Sequence, residues 1–163
     1  MLTRRSLLGL VALCLVAIVG CASDDLQTST VFDPLTQFPA AATFSWEAAA
    51  NKLPSDERIR ALDLDPLIRE AANREFAARG YRMVTSGAAD YRLSYQVAVN
   101  TWLGPDNSTS VASLSLLLVD AKQDRRVWLG YGRAEMHVSI SREERLKRLQ
   151  SATAKMLEKF PPR

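Results

Sequence analysis

Hydrophobic and polar positions follow two different periods along this chain, and the switches between them divide it into elements. From Asp90 to Trp102 the period is two. Tyr91, Leu93, Tyr95, Val97 and Val99 fall on one side, with Arg92, Ser94, Gln96 and Asn100 on the other. Alternation over that length predicts a long strand with one covered face in an antiparallel sheet. Gly104-Pro105-Asp106-Asn107 supplies turn chemistry, and Ser110 to Asp120 returns as another long strand rich in Leu and Val. Lys122 to Arg125 closes a second hairpin ahead of Val127 to Ile140. In that last strand Trp128, Ala134, Met136, Val138 and Ile140 share a face, and Gly130 and Gly132 mark a bulge or a close backbone approach.

Helical spacing takes over in two places. Between Pro66 and Arg79, the residues Leu67, Ile68, Ala71, Ala72, Glu75 and Phe76 form one stripe, small enough in part to sit close on a sheet. Asp65 suits the N-cap, Pro66 the first helical position and Gly80 the residue past the end. Ser141-Arg142-Glu143-Glu144 has the form of a capping box and opens a second helix, whose Leu146, Leu149, Thr153, Met156, Leu157 and Phe160 run down one side until Pro161 and Pro162 stop it. Shorter extended pieces begin at Val31, at Thr43-Phe44-Ser45-Trp46 and at Tyr81 to Thr85. Ala48 to Asp63 reads as a connecting loop with a helical turn. The prediction is one α+β domain over residues 31–163: an antiparallel β-sheet, built as a meander of long strands, with two helices packed on one face.

The amino terminus obeys neither period. Arg4 and Arg5 precede an apolar run from Leu7 to Val19, and about 20 apolar residues are needed to span a bilayer, so the run is read as an export signal. It closes on Ile18-Val19-Gly20-Cys21, which resembles the lipobox of bacterial lipoproteins. That resemblance implies cleavage between Gly20 and Cys21, diacylation of the Cys21 thiol and acylation of the new amino group, palmitate among the chains. Several chains make the attachment durable. Residues 1–20 are then a signal peptide and residues 21–30 a lipidated cysteine with a short polar tether. Cys14 leaves with the signal, so Cys21 is the only mature cysteine. Ala22 stands where an aspartate favours inner-membrane retention, so the expected address is the outer membrane, facing the periplasm.

Asp33-Pro34, Thr43-Phe44-Ser45-Trp46, Ala78-Arg79-Gly80-Tyr81, Ala89-Asp90-Tyr91, Val119-Asp120, Arg126-Val127-Trp128 and Phe160-Pro161 come in an order and spacing that resembles the domain-of-unknown-function family 4136, found in bacterial lipoproteins. Leu129-Gly130 departs from it where a basic residue and glycine commonly follow the tryptophan. The resemblance implies an exported, lipid-anchored α+β domain and brings no established reaction.

Charge excludes more than it suggests. Without Arg4 and Arg5, the 21 basic residues fall to 19 against 18 acidic ones, which does not argue for a nucleic-acid surface. Arg142, Arg145, Lys147 and Arg148 alternate with Glu143 and Glu144 and read as a solvated helix face. His137 is the only histidine, on the face opposite Met136 and Val138. With no free thiol and no nucleophile-elbow sequence, nucleophilic catalysis lacks its parts. No metal site or cofactor is expected. Asp90, Asp120, Asp124 and Glu135 lie on strands or near strand ends. Asp33 and Asp120 match the family pattern and are the carboxylates to test first, against a competing role in turns and caps. Trp46 and Trp128 read as core, whereas Trp102 falls on the polar parity of its strand beside the Gly104-Pro105 turn and is the candidate for an exposed binding surface, against a packing role. The functional expectation is a non-enzymatic binding or envelope-structural role, with an envelope protein or cell-wall component as partner. The alternatives are a module for a lipid or glycan fragment and a carboxylate-dependent hydrolase.

Overall fold

The long alternating runs become the centre of a single sheet. The computed structural model describes residues 25–47, 52–55, 57–103, 108–136 and 139–161, with the side chains at 57, 58, 102, 103, 108 and 109 outside that description. In chain order the elements are β1 (Gln27–Phe32), β2 (Thr43–Trp46), α1 (Glu57–Arg60), α2 (Leu64–Ala78), β3 (Arg82–Met83), β4 (Tyr91–Leu103), β5 (Ser108–Asp120), β6 (Arg125–Glu135) and α3 (Arg142–Met156). The strands lie in the order β1-β6-β5-β4-β2-β3. Paired residues of neighbouring strands point to the same face, so Tyr91, Leu93, Tyr95 and Val97 join Leu114, Leu116 and Leu118 beneath α2 and α3.

The sheet is mixed, which corrects the expectation of a purely antiparallel meander. β4, β5, β6 and β1 are antiparallel neighbours, but β2 runs parallel to both β3 and β4. The connection from β2 to β3 passes through α1 and α2, and a helical crossover returns the chain in its original direction. These parallel pairings join only two or three residues each.

A second correction concerns the tether. Gln27 to Thr30 are not part of a free linker but of β1, paired with β6 from Gln27↔Arg133 to Phe32↔Trp128. An edge strand has one neighbour and needs no apolar alternation; the β-branched Thr28, Thr30 and Val31 suit it as they stand. The third correction is at α2, which begins before Pro66 with Asp63 as N-cap in the left-handed region (φ 49°). Asp65 therefore sits in the first turn. There its carboxylate accepts from Tyr95 Oη at 2.6 Å and from Arg69 Nε at 2.9 Å, instead of capping.

The far end of α2 follows its sequence signals closely. Gly80 takes φ 84°, its N–H donates to Ala77 O at 2.9 Å, and Tyr81 N–H donates to Phe76 O at 3.0 Å. This is a Schellman ending, and the Phe76 and Tyr81 rings meet edge-on across it. Arg79 links the two helix ends. It pairs with Glu75 at 2.9 Å, and its Nε donates to Leu157 O at 2.9 Å. α3 opens as expected, with Ser141 Oγ accepting from Glu144 N at 3.1 Å.

Candidate functional site

The core changes character along the strands. Across β4, β5 and β6 the inward rows are Leu93–Leu118–Trp128, Tyr95–Leu116–Gly130, Val97–Leu114–Gly132 and Val99–Ala112–Ala134. Side-chain volume falls from the first row to the last. At the wide end Phe44, Phe76, Tyr81, Trp128 and Phe160 form a cluster of rings with centroids 5–6 Å apart, such as Phe76–Phe160 at 5.5 Å and Trp128–Phe160 at 5.4 Å. Gly130 makes this packing feasible. A β-carbon there collides with the Trp128 ring and falls 3.1 Å from Met156 Cβ, and one on Gly132 falls 2.6 Å from Met156 Cε. Gly130 thus serves close approach, while at Gly132 only the flexible end of Met156 would have to yield. The bulge lies elsewhere, opposite Leu118 and Val119, where Val127 is the extra residue and is buried beside Trp128.

At the narrow end the small residues leave a cavity of about 150 Å³ between sheet and helices, open on one side to solvent. Its wall is apolar, with Ile59, Leu62 and Ile68 from the α1–α2 side, Leu149 and Ala152 from α3, and Ala112, Gly132 and Ala134 from the sheet floor. Leu26, just before β1, closes one flank. The charged members of the lining are Asp25, Arg133, Glu135, Arg145 and Arg148, all exposed or half-exposed, and these form the rim. The Glu135 N–H donates to Asp25 Oδ2 at 2.6 Å, and Arg133 donates to Gln27 Oε1 at 2.8 Å.

The basic residues of α3 are not equivalent. Lys147 pairs with Glu143 at 3.1 Å, Arg148 with Glu144 at 3.7 Å and Arg142 with Asp63 at 2.9 Å. Those three give the solvated face expected from sequence. Arg145 has no carboxylate partner among the described residues. It donates one guanidinium N–H to Ile140 O at 2.5 Å, and its buried Nε finds no acceptor among the described residues.

Of the carboxylates singled out from sequence, Glu135 stands on the cavity rim, whereas the four aspartates lie elsewhere and bind backbone, hydroxyl or arginine. Asp33 accepts from Leu35 N at 3.0 Å and Thr36 Oγ1 at 2.9 Å, and contacts Arg125. The Leu35 N–H, helped by Thr36 and the Arg125 charge, holds its carboxyl below the usual range. Asp120 Oδ1 accepts from Lys122 N and Gln123 N at 2.8 Å, closing the β5–β6 hairpin. Asp90 Oδ2 accepts from both Thr43 N and Thr43 Oγ1 at 2.8 Å, while Asp90 N donates to Thr43 Oγ1 at 3.1 Å. These bonds fasten the starts of β2 and β4, and the Thr43 N–H leads in lowering the Asp90 pKa. Asp124 is bound by Arg92. Each residue therefore has a structural task. Among the described residues, no three His, Cys, Asp or Glu side chains gather as a metal site.

Of the tryptophans, Trp128 is fully buried, and Trp46 is half-buried, donating to Asn73 Oδ1 at 2.9 Å with Arg69 over its ring at 4.8 Å. Trp102 pairs with Thr109 in the β4–β5 ladder, and its side chain lies outside the described residues, as do Gly20, Cys21 and His137. No described helix is long and apolar enough to cross a membrane. Sequence reasoning did not single out the cavity. Its one signal is the run of Val99, Ala112, Gly132 and Ala134 at inward parity, which becomes a single floor only once the register is known.

A six-stranded mixed sheet with its helices on one face, holding a small apolar cavity between the layers, defines the class as a two-layer α+β domain. Residues 28–162 match the family described as Domain of unknown function (DUF4136), and the chain belongs to that family. No curated protein matches it. Among solved structures it is similar to the PelC dodecamer from Paraburkholderia phytofirmans, with 17% identity, 81% of this chain and 94% of that chain covered and a TM-score of 0.52. It is also similar to a PDZ domain protein from Parabacteroides distasonis, with 12% identity, 86% and 36% covered and a TM-score of 0.54. A minor lipoprotein from Acinetobacter baumannii aligns at 12% identity over 73% and 91%, with a TM-score of 0.42. At such identities the likeness is one of fold.

Proposed function

We propose that this chain is a lipoprotein anchored through Cys21 to the outer membrane, facing the periplasm, and that its domain binds rather than catalyses. The observation that carries the binding reading is the division of labour among its polar groups. Asp90 and Asp120 hold a strand start and a turn, whereas an apolar cavity lies between the sheet and the helices. The anchor rests on Gly20-Cys21 at the end of the apolar run. Attachment raises the effective concentration of any ligand or partner in the same membrane.

Labelling cells with radioactive palmitate and separating the two membranes tests the address. Wild type is expected to carry label in the outer-membrane fraction and Cys21→Ser to carry none. Affinity capture of the lipidated protein from its envelope, with Cys21→Ser as control, tests for a protein or cell-wall partner. Asp33→Asn and Asp120→Asn separate binding from hydrolysis, because their expected effect is a lower thermal midpoint. A hydrolytic activity lost in these variants at unchanged midpoint would sink the binding reading.

A further inference from the structure

We propose that the cavity takes the chain of an anionic amphiphile, a single alkyl chain with a carboxylate or phosphate head, and that Arg145 receives the head. The inference deepens the lipoprotein reading and rests on it for the source of the ligand. Three observations converge. The first is size and lining: an apolar cavity near 150 Å³, open on one side, accommodates a guest of about six carbon atoms. That matches a stretch of one alkyl chain and is too small for a sugar ring with its hydration. The open side lets the rest of a longer chain leave towards solvent.

The second is Arg145. It is the one cation of the α3 cluster without a carboxylate partner among the described residues, and it lines the cavity with a buried N–H that has no acceptor. A buried donor left unpaired is costly, and the half-exposed remainder of the same guanidinium can meet an anionic oxygen at the rim with a charge-assisted bond. The rim also holds Asp25 and Glu135, facing Arg133 and Arg148, so three cations stand against two anions. Arg148 is already engaged by Glu144 and Arg133 by Gln27. Gln27 is neutral and leaves the charge of the exposed Arg133 in place, so Arg145 differs in being partly withdrawn from water, with neither a carboxylate partner nor an acceptor for its Nε among the described residues.

The third is reach. Asp25 is part of the rim and stands four residues after Cys21. Four residues span at most about 14 Å even when fully extended. Acylation of Cys21 therefore holds the cavity within that distance of the bilayer surface, where single-chain and phospholipid amphiphiles are the abundant apolar solutes.

The test uses the mature chain from residue 21 with Cys21→Ser, exported behind a cleavable signal, and follows side-chain methyl resonances by NMR. Decanoate is one probe, dihexanoyl-phosphatidylglycerol the second and decanol the neutral control. Saturable shifts confined to Leu149, Ala152, Ala134 and Leu26 are expected with decanoate or the phospholipid, and whichever saturates at lower concentration identifies the head. Arg145→Gln should weaken decanoate binding about tenfold and leave decanol unchanged. Ala112→Phe should fill the cavity and abolish both. Arg145 is half-exposed, so Arg145→Gln decides the question even where Ala112→Phe lowers the folded fraction.

Shifts absent from the cavity, or equal decanoate affinity in Arg145→Gln and wild type, overturn the proposal. So does a lipidated wild-type protein already in the bound spectrum and unresponsive to decanoate, since its own anchor then fills the cavity. The palmitate experiment reports separately. Label without decanoate binding rejects the ligand site, while binding without label upholds the site and rejects the membrane as its source.

Discussion

Tyr81 is buried to 3% exposure between Phe76, Tyr91 and Phe160, yet its hydroxyl has no hydrogen-bond partner among the described residues. Removing an unpartnered hydroxyl from an apolar site ranges from neutral to stabilising. Tyr81→Phe is therefore expected to match wild type or gain up to about 1 kcal/mol in urea unfolding. A clear loss of stability refutes this account of the site. The reverse is expected of Gly130. A methyl group there strikes the Trp128 ring and presses on Met156, so Gly130→Ala should cost about 1–3 kcal/mol through overpacking. Its denaturation midpoint should fall with an unchanged slope.

At the scale of elements, local chemistry decided most of what could be read in advance. Alternation from Tyr91 to Val99 and the Gly80 ending of α2 needed only near neighbours, and both form as expected. The Ser141 cap of α3 also formed, and Ser141→Ala should lower stability by about 1 kcal/mol. That loss can be read as a drop in thermal midpoint. What sequence concealed depends on partners distant along the chain. Asp65 looked like a cap because its bond to Tyr95 joins residues 30 positions apart. Residues 27–30 looked like linker because β1 is defined by pairing with a strand about a hundred residues away. The parallel edge of β2 and β3 is too short to carry a period, and the cavity exists only in the register of three strands. The motif residues were legible as a pattern but not in role. Thr43 with Asp90 and Arg79 with Glu75 and Leu157 prove to be fastenings of the architecture.

At the scale of the whole molecule, pH stresses different fastenings at its two extremes. Asp33 and Asp90 have folded pKa values below their ordinary ones. Their contribution is in place above the unfolded carboxylate pKa and is lost as pH falls through the folded values, so stability should decline below about pH 4. Asp90→Asn should lose stability at pH 7 and show a flatter acid limb in thermal melts. Tyrosines act in the opposite sense. Burial, aided by the neighbouring Tyr91, pushes Tyr81 up to about 12, and burial likewise raises Tyr91 and Tyr95. Their contribution is complete below their unfolded value of 10.0 and is lost as pH climbs beyond it.

The placement of β1 also bears on how the chain comes to be folded. β1 is made before every other described strand, yet its partner β6 ends at Glu135, late in the chain. Contacts that close loops of a hundred residues form slowly. The described sheet cannot be completed until β6 has been made. β1 thus waits unpaired through most of synthesis, and the strand made first is the one secured only after β6 has arrived.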